Sequence, residues 1–205
     1  MRIGVLGSGG MAEALGGRWV AAGHEVLVGG RSPERSRAVA ARVGAVAGSP
    51  ADAVAFGDAV LLAVPAAVAA EVLGPAPGRV VVDCTNSVVP GRFALDEPRA
   101  AVRLAERTGA HVVKAFNLCH VGVWRLPSLV FEGRPLGVPL CGDSAAALGV
   151  VRELVRSIGC VPVDGGPLER AELLEATTAF AIGLWVGGAD VRSIFPPLPE
   201  ASGLM

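Results

Sequence analysis

Residues 3–12 read IGVLGSGGMA, a short apolar strand that runs directly into a glycine-rich turn. The spacing Gly7-x-Gly9-x-x-Ala12 allows a tight turn at Gly7, a close approach of backbone N–H groups to a phosphate at Gly9, and packing of a helix on the strand at Ala12. Apolar side chains then recur at the four-residue spacing of a helix face, at Met11, Leu15 and Trp19. A glycine-rich turn alone is weak evidence, but the sequence of strand, turn and helix predicts a dinucleotide site.

The residues after the second predicted strand indicate which dinucleotide binds. Residues 24–28 (HEVLV) lead into Gly29, Gly30 and Arg31, where an NAD-selective site would carry Asp or Glu for the ribose hydroxyls. Arg31 and Arg35 would instead meet the 2′-phosphate of NADP, with Ser32 and a helix N-terminus beside them. Ser32 also has an ordinary explanation as the cap of a helix that begins at Pro33, and the two roles are compatible. The sequence therefore favours NADP(H) over NAD.

The composition narrows the class of protein. The chain has 205 residues, is 52% hydrophobic and 18% charged, and carries a formal net charge of −1, so neither disorder nor a nucleic-acid surface is indicated. Its four cysteines are Cys84, Cys119, Cys141 and Cys160, without a C-x-x-C pair, so we expect no metal site, no disulfide framework and a reducing cytoplasm. Residues 53–73 are rich in Ala and Val, but Asp58 and Pro65 interrupt them, so no membrane span is expected.

Apolar runs alternate with helix-like segments along the chain. The expected strands are residues 3–6, 24–28, 59–64, 79–82, 112–115 and 136–140, and the expected helices are residues 10–22, 33–43, 66–73, 97–108, 144–157 and 167–187. This alternation predicts an α/β, Rossmann-type, doubly wound and largely parallel sheet with a C-terminal α/β extension. We expect a single domain over residues 1–205, with a dinucleotide-binding core at 1–135, an extension at 136–195 and a tail at 196–205.

The helix expected at residues 167–187 is unusual because it is nearly apolar on all sides after Leu173. Such a helix must be buried, either within its own chain or against a second copy. Because one small domain has difficulty covering every face of it, we expect a homodimer that forms through this helix.

In a doubly wound sheet the ligand crosses the carboxyl ends of the strands, so the residues that follow each strand are the candidate site. Pro65, in the run Ala63-Val64-Pro65, either ends its strand or lines the ribose and nicotinamide. Asn86 and Asn117 follow the next two predicted strands, and each could bind the nicotinamide carboxamide or serve as an ordinary turn residue.

His120 lies just beyond one of these strands and is either structural or a catalytic proton donor. Cys119 is its neighbour, but adjacent residues point in different directions, which argues against a Cys–His nucleophile.

The order and spacing of seven sequence blocks carry a family resemblance over nearly the whole chain. The blocks are IGVLGSGGMAEALG, VLVGGRSPER, VLLAVP, VVDCTN, VVKAFN, PLCGD and VPVDGGPLERAELLE. In them the chain resembles the NADPH-dependent reductases of the 8-hydroxy-5-deazaflavin coenzyme F420 and the related cytosolic domain of the STEAP metalloreductases.

The resemblance implies a role for each matching residue. The pyrophosphate would contact Ser8, Gly9, Gly10 and Met11, and the 2′-phosphate would contact Arg31 and Arg35. The ribose and nicotinamide would be surrounded by Val64, Pro65, Asn86, Ala115 and Asn117. The family often has Gly-Ser-Arg where this chain has Gly29-Gly30-Arg31, and residues 116–120 follow the STEAP-like branch, so the electron acceptor stays open.

The expected function is that of an enzyme, an NADPH-dependent oxidoreductase that exchanges hydride between NADP(H) and a deazaflavin (coenzyme F420) or a flavin (FMN or FAD). Hydride exchange between two ring cofactors needs no acid–base constellation, because the cofactors carry the redox chemistry. One alternative is a reductase of a small carbonyl or imine, which would need a proton donor such as His120. Another is a dinucleotide-binding sensor without turnover.

Overall fold

The computed structural model describes residues 1–89 and 91–194, and these residues form one central sheet flanked by helices. The strands are Arg2–Leu6 (β1), Glu25–Gly29 (β2), Val46–Gly48 (β3), Ala59–Leu62 (β4), Val80–Asp83 (β5), Val88–Val89 (β6), Ala94–Leu95 (β7), His111–Lys114 (β8), Val130–Phe131 (β9), Arg134–Pro135 (β10), Gly137–Gly142 (β11) and Val161–Gly166 (β12). The α-helices are Gly10–Ala21 (α1), Pro33–Val43 (α2), Pro50–Phe56 (α3), Ala66–Leu73 (α4), Ala100–Thr108 (α5), Ala145–Ser157 (α6) and Ala171–Val186 (α7). The expected tail at 196–205 lies outside the described residues.

The eight-stranded sheet has the order β12-β11-β8-β5-β4-β1-β2-β3. Its strands pair in parallel, except that β11 runs antiparallel to β8. The strands β11 and β12, from the expected extension, continue the same sheet. The α/β, doubly wound and largely parallel fold is therefore confirmed. The strand order reverses beside β1, so the carboxyl ends of β1 and β4 flank a crevice of the kind in which such sheets bind ligands.

The sequence prediction missed β3, β12 and α3, as well as the two-residue strands β6, β7, β9 and β10. The strand β3 has only three residues, and α3 has seven, but α3 carries a capping box in which Ser49 and Asp52 exchange hydrogen bonds with each other's backbone. Because β3, β6 and β7 were missed, the strands expected as third, fourth and fifth along the chain are β4, β5 and β8. The helix expected from residue 97 begins only at Ala100, since Arg99 before it has a φ of 59°.

Glycines bring α3 unusually close to the sheet. A Cβ on Gly4 would lie 1.9 Å from the carbonyl oxygen of Ala53, and one on Gly29 would lie 2.4 Å from that of Ser49. Any side chain at either position would collide with the backbone of α3, so these glycines in β1 and β2 are required by packing. Their cost in strand propensity is offset by this close contact.

The helix α7 is buried at its start and exposed towards its end. Ala171, Glu175, Thr178 and Ala179 are buried, whereas Phe180 is 59% exposed and Trp185 50% exposed. Of the two ways in which the sequence allows this helix to be buried, full coverage within its own chain is not found in the described residues. Within the described part of the chain, no helix has the length and hydropathy to cross a bilayer.

Candidate functional site

The glycine turn between β1 and α1 is shaped for a phosphate. Gly7 has a φ of 123°, its N–H donates to the carbonyl oxygen of Gly29 at 2.8 Å, and a Cβ on it would lie 2.3 Å from the carbonyl oxygen of Ala63. Only glycine fits there. A Cβ on Gly9 would meet nothing within 4 Å, and no side chain caps α1. The first N–H groups of α1 therefore face open space, as an anion-binding helix terminus requires.

A cavity of about 450 Å³ opens on one side of this turn, and we call it the arginine cavity. It is lined by Ser8, Gly9, Gly30, Arg31, Ser32, Arg35, Ala63, Val64, Pro65, Val68 and Val72. Arg31 and Arg35 are exposed, and neither forms an ion pair within the described residues. Unpaired guanidinium groups beside an apolar wall fit a phosphorylated nucleoside, because the wall covers the base and the cations bind the phosphate.

Ser32 caps α2 and keeps its hydroxyl proton for a ligand. Its Oγ accepts the N–H of Arg35 at 3.3 Å, and Pro33 follows as the first helical residue. Capping occupies an acceptor lone pair, so the O–H remains available to a phosphate oxygen. The capping role predicted for Ser32 is confirmed.

A second cavity, of about 420 Å³, opens on the other side of the turn, and we call it the apolar cavity. It is lined by Met11, Cys84, Asn86, Phe116, Asn117, Leu118, Cys119, His120, Val121, Thr178, Ile182, Trp185 and Val186. Both cavities fall within the usual size range of small-molecule sites, and this one has the apolar lining with few polar groups that is typical of them. It is bounded by α1, by the segments after β5 and β8, and by α7.

Asn86 and Asn117 contact each other across the apolar cavity. Asn86 Nδ2 donates to the carbonyl oxygen of Asn117 at 2.8 Å, and Asn117 Nδ2 donates to Asn86 Oδ1 at 3.0 Å. Thr178 of α7 donates to the same carbonyl oxygen at 3.3 Å. Asn117 is buried, whereas Asn86 is partly exposed. One side-chain N–H of Asn86 is not used in these hydrogen bonds. Of the two, Asn86 is thus better placed to bind a carboxamide.

His120 lies at the exposed edge of the apolar cavity. Its Nδ1 accepts the N–H of Gly122 at 3.1 Å, so in the neutral ring the proton is on Nε2, which can donate to a ligand. Burial raises the pKa of the Cys119 thiol above its ordinary value, so Cys119 is protonated and a poor nucleophile. This agrees with the argument against a Cys–His pair.

The structure separates two sets of residues that the resemblance groups together. Val64 and Pro65 line the arginine cavity, whereas Asn86 and Asn117 line the apolar cavity. Ala115 is fully buried at the end of β8. A dinucleotide that spans both cavities would therefore contact Val64 and Pro65 with its adenosine half, and the asparagines with its nicotinamide half.

The segment after β8 is tied to α1. Phe116 has a φ of 63°, a region that bulky residues rarely adopt, and its ring makes edge contacts with Trp19 of α1 at 5.8 Å and with Trp124 at 5.4 Å. Arg18 of α1 donates to the carbonyl oxygens of Trp124, at 2.9 Å, and of Leu126. These contacts fix residues 116–126 against α1.

Arg125 is a candidate site residue that sequence reasoning missed. Its Nη2 would lie 3.4 Å from a Cβ on Gly10, beside the first turn of α1, and 3.8 Å from Glu13 Oε2. Glu13 is already paired with Arg42 at 2.9 Å. Arg125 therefore adds a positive charge next to the glycine turn. No sequence motif indicates this, because 115 positions separate Arg125 from Gly10.

Three buried charged side chains link the sheet to α7. Lys114 Nζ lies 3.0 Å from Asp83 Oδ2 and 2.6 Å from Glu175 Oε1, and all three side chains are at most 3% exposed. Burial raises the pKa of the Glu175 carboxyl, although Lys114 opposes this. Burial disfavours the charge of Lys114, but Asp83 and Glu175 outweigh it and raise its pKa. We call these residues the buried triad.

The fold and this geometry agree with what the chain is similar to. Residues 2–87 match the family model described as NADP oxidoreductase, coenzyme F420-dependent. The chain is 29% identical over 211 residues to the F420-dependent NADP reductase of Methanothermobacter thermautotrophicus, covering 90% of this chain and 89% of that protein. It is 29% identical over 187 residues to metalloreductase STEAP3 of Rattus norvegicus, and spans 38% of the length of that protein.

A solved structure of an F420-dependent NADP-reductase from Arthrobacter sp. FB24 shares the fold. Its TM-score is 0.78 at 24% identity, with 91% of this chain and 95% of that chain covered. The glycine turn and the arginine cavity both lie mainly within the residues that match the family model. The chain is thus similar to the coenzyme F420-dependent NADP oxidoreductases, in the family match over residues 2–87 and in the likeness to the archaeal reductase over 90% of this chain.

Proposed function

We propose that the protein exchanges hydride between NADP(H) and a planar ring acceptor, a deazaflavin such as coenzyme F420 or a flavin. The observation that carries this proposal is the apolar cavity, which lies next to the glycine turn and shares Met11 with it. A flat, largely uncharged ring fits such a lining. A small polar substrate would leave most of this apolar surface uncovered.

The side chains of the chain bind and orient, and the cofactors carry the chemistry. Arg31, Ser32 and Arg35 hold the 2′-phosphate, and the start of α1 holds the pyrophosphate. Asn86 orients the carboxamide, and Ile182 and Trp185 of α7 exclude water from the face opposite the sheet. When bound, the nicotinamide supplies or accepts the hydride at its C4 atom.

An anaerobic assay that follows NADPH absorbance tests the acceptor. The purified protein is mixed with NADPH and, in separate reactions, with coenzyme F420, FMN, FAD or no acceptor. We expect rapid oxidation with at least one ring acceptor and none without acceptor. Tight NADPH binding without turnover of any acceptor would contradict the proposal and favour a dinucleotide sensor.

A second candidate function rests on the Nε2 proton of His120, which could reach the oxygen or nitrogen of a carbonyl or imine substrate. His120→Ala separates the two functions, since loss of a general acid costs on the order of 100-fold or more in rate. If a ring acceptor is used, we expect turnover to fall only several-fold, with NADPH binding nearly unchanged. A fall of about 1000-fold at unchanged NADPH affinity would favour the carbonyl or imine reductase.

Two further features support what we propose about assembly and location. The exposed apolar side chains of α7 support a homodimer in which a second copy covers them. All four cysteines are free thiols, which suits a reducing compartment. We therefore place the protein in the cytoplasm as part of this proposal.

A further inference from the structure

The buried triad contains two carboxyl groups and one ammonium group. With all three ionised, it carries a net charge of −1 in a region from which water is excluded. A stable protein rarely buries an uncompensated charge, because removing it from water is costly. Two ion pairs on one lysine stabilise the arrangement but do not neutralise it.

The triad lies at the carboxyl edge of the sheet, where the nicotinamide half of the site is proposed. Asp83 and Lys114 are the last residues of β5 and β8 and are direct partners in the parallel pairing of these strands. Asp83 itself lines a small cavity on the α4–α5 side of the sheet, whereas Cys84, the next residue, lines the apolar cavity. Glu175 is three residues before Thr178, which also lines it, a rise of roughly 4.5 Å along α7.

Nearby cations do not cancel this charge. Arg103 and Arg107 of α5 share a small cavity with Asp83, but both are exposed, so water and salt screen them. Arg103 is also paired with Glu97 at 2.9 Å. A buried charge is screened much less than these surface charges, so the field of the triad extends into the apolar cavity.

We propose that Asp83 and Glu175 bias the bound nicotinamide towards its oxidised, cationic form. The inference rests on the proposed function. When the C4–H bond of the reduced nicotinamide breaks, both electrons and the proton leave as hydride for the ring acceptor, and the nicotinamide gains one positive charge. A fixed negative charge nearby lowers the free energy of this cation and leaves the neutral reduced ring almost unaffected. The two carboxylates thus strengthen NADPH as a hydride donor.

Glu175→Gln tests this through binding rather than turnover, because it removes one negative charge and keeps the shape of the side chain. Calorimetry at mildly alkaline pH gives Kd for NADP⁺ and for NADPH in the wild type and the variant. We expect the Kd for NADP⁺ to rise about 3- to 10-fold, while that for NADPH changes less than about 2-fold. Glu172→Gln removes the same charge from the same helix at a less buried position, and we expect it to leave the ratio unchanged.

Each result of this experiment has one meaning. An equal change in both constants, or no change, would overturn the inference and leave the triad a purely structural feature. A wild type that binds neither form of the dinucleotide would instead refute the proposed function. If Glu175→Gln does not fold, Asp83→Asn removes one negative charge from the same triad and provides a second comparison.

Discussion

Arg31 is the residue on which the choice of dinucleotide most depends. It is exposed at the arginine cavity, without an ion-pair partner in the described chain, so its charge is available to a 2′-phosphate. We expect Arg31→Ala to weaken NADPH binding roughly 10-fold or more and to leave NADH binding nearly unchanged. Arg37→Ala, which removes an exposed cation from α2, the helix that follows Arg31, is the matched control. Calorimetry that finds an equal loss for both dinucleotides would contradict this assignment.

Arg125 should bind the pyrophosphate, which NADPH and NADH share. Its guanidinium lies beside Gly10 at the start of α1, so we expect it to contact the pyrophosphate and neither of the two riboses. We expect Arg125→Ala to weaken both dinucleotides by a similar factor, about 3- to 10-fold. It should not affect 2′-AMP, which has no pyrophosphate. Arg42→Ala removes the other partner of Glu13 and serves as the control, and a similar loss with that variant would refute the role of Arg125.

Among the individual site residues, the sequence indicated those that directly follow a strand. It did not indicate those that a distant segment of the chain contributes. The turn at Gly7, the cap at Ser32 and the positions of Asn86 and Asn117 follow from strand ends and local spacing. Neither the mutual hydrogen bonds of the two asparagines nor the position of Arg125 could be predicted. Both depend on how the segment after β8 packs on α1 and α7, and no local pattern encodes that packing.

Among the elements, α7 contacts the central sheet through a buried ionic pair, between Glu175 and Lys114 of β8. Removing Lys114 would leave Asp83 and Glu175 facing each other without a counter-charge. We expect Lys114→Met to lower the free energy of unfolding by about 3–5 kcal/mol. Arg103→Met breaks the exposed pair with Glu97 and should cost less than about 1 kcal/mol. Urea denaturation of both variants measures this difference. Similar losses of unfolding free energy would show that the buried ion pair stabilises the fold no more than the exposed one.

The triad should also make stability depend on pH. The pKa of Glu175 is raised in the folded protein above its ordinary value of 4.5, so the folded state binds more protons than the unfolded chain. Stability contributed by this group is complete below pH 4.5 and is lost as the pH rises through the folded pKa. Glutamine does not titrate, so the Glu175→Gln variant should become more stable relative to the wild type as the pH rises from 4.5 through the folded pKa of Glu175. A pH-independent difference between their unfolding free energies would contradict this.

Long periodic elements were predicted well, and short or tertiary-dependent ones were not. The bounds of α2 and α4 agree with the expected ranges, because Pro33 begins one and Gly74 ends the other. The strand β3 has too few residues to show a period of two, and β12 contains Asp164, Gly165 and Gly166, which are typical of a turn. Pairing with β2 holds β3 and pairing with β11 holds β12, and the local sequence does not display either pairing.

For the whole molecule, the exposed apolar surface of α7 leads to a prediction about assembly. A homodimer that covers this helix would bury Phe180, which is 59% exposed in the single chain. We expect a dimeric mass by light scattering at micromolar concentration, and a monomeric mass for Phe180→Glu. Val46→Glu introduces the same charge at an exposed valine of β3 and should remain dimeric. A monomeric wild type would show that α7 is not covered by a second copy.

The placement of the tryptophans gives the protein a built-in optical signal. The chain has three tryptophans and no tyrosine. Trp19 and Trp124 are fully buried against Phe116, so their emission lies at short wavelength, whereas Trp185 is half exposed at the apolar cavity and emits at longer wavelength. The long-wavelength side of the fluorescence spectrum therefore comes from a single indole in the wall of the cavity. A ring compound that enters the cavity will quench this emission selectively, so acceptors can be screened with the unlabelled protein and without any turnover.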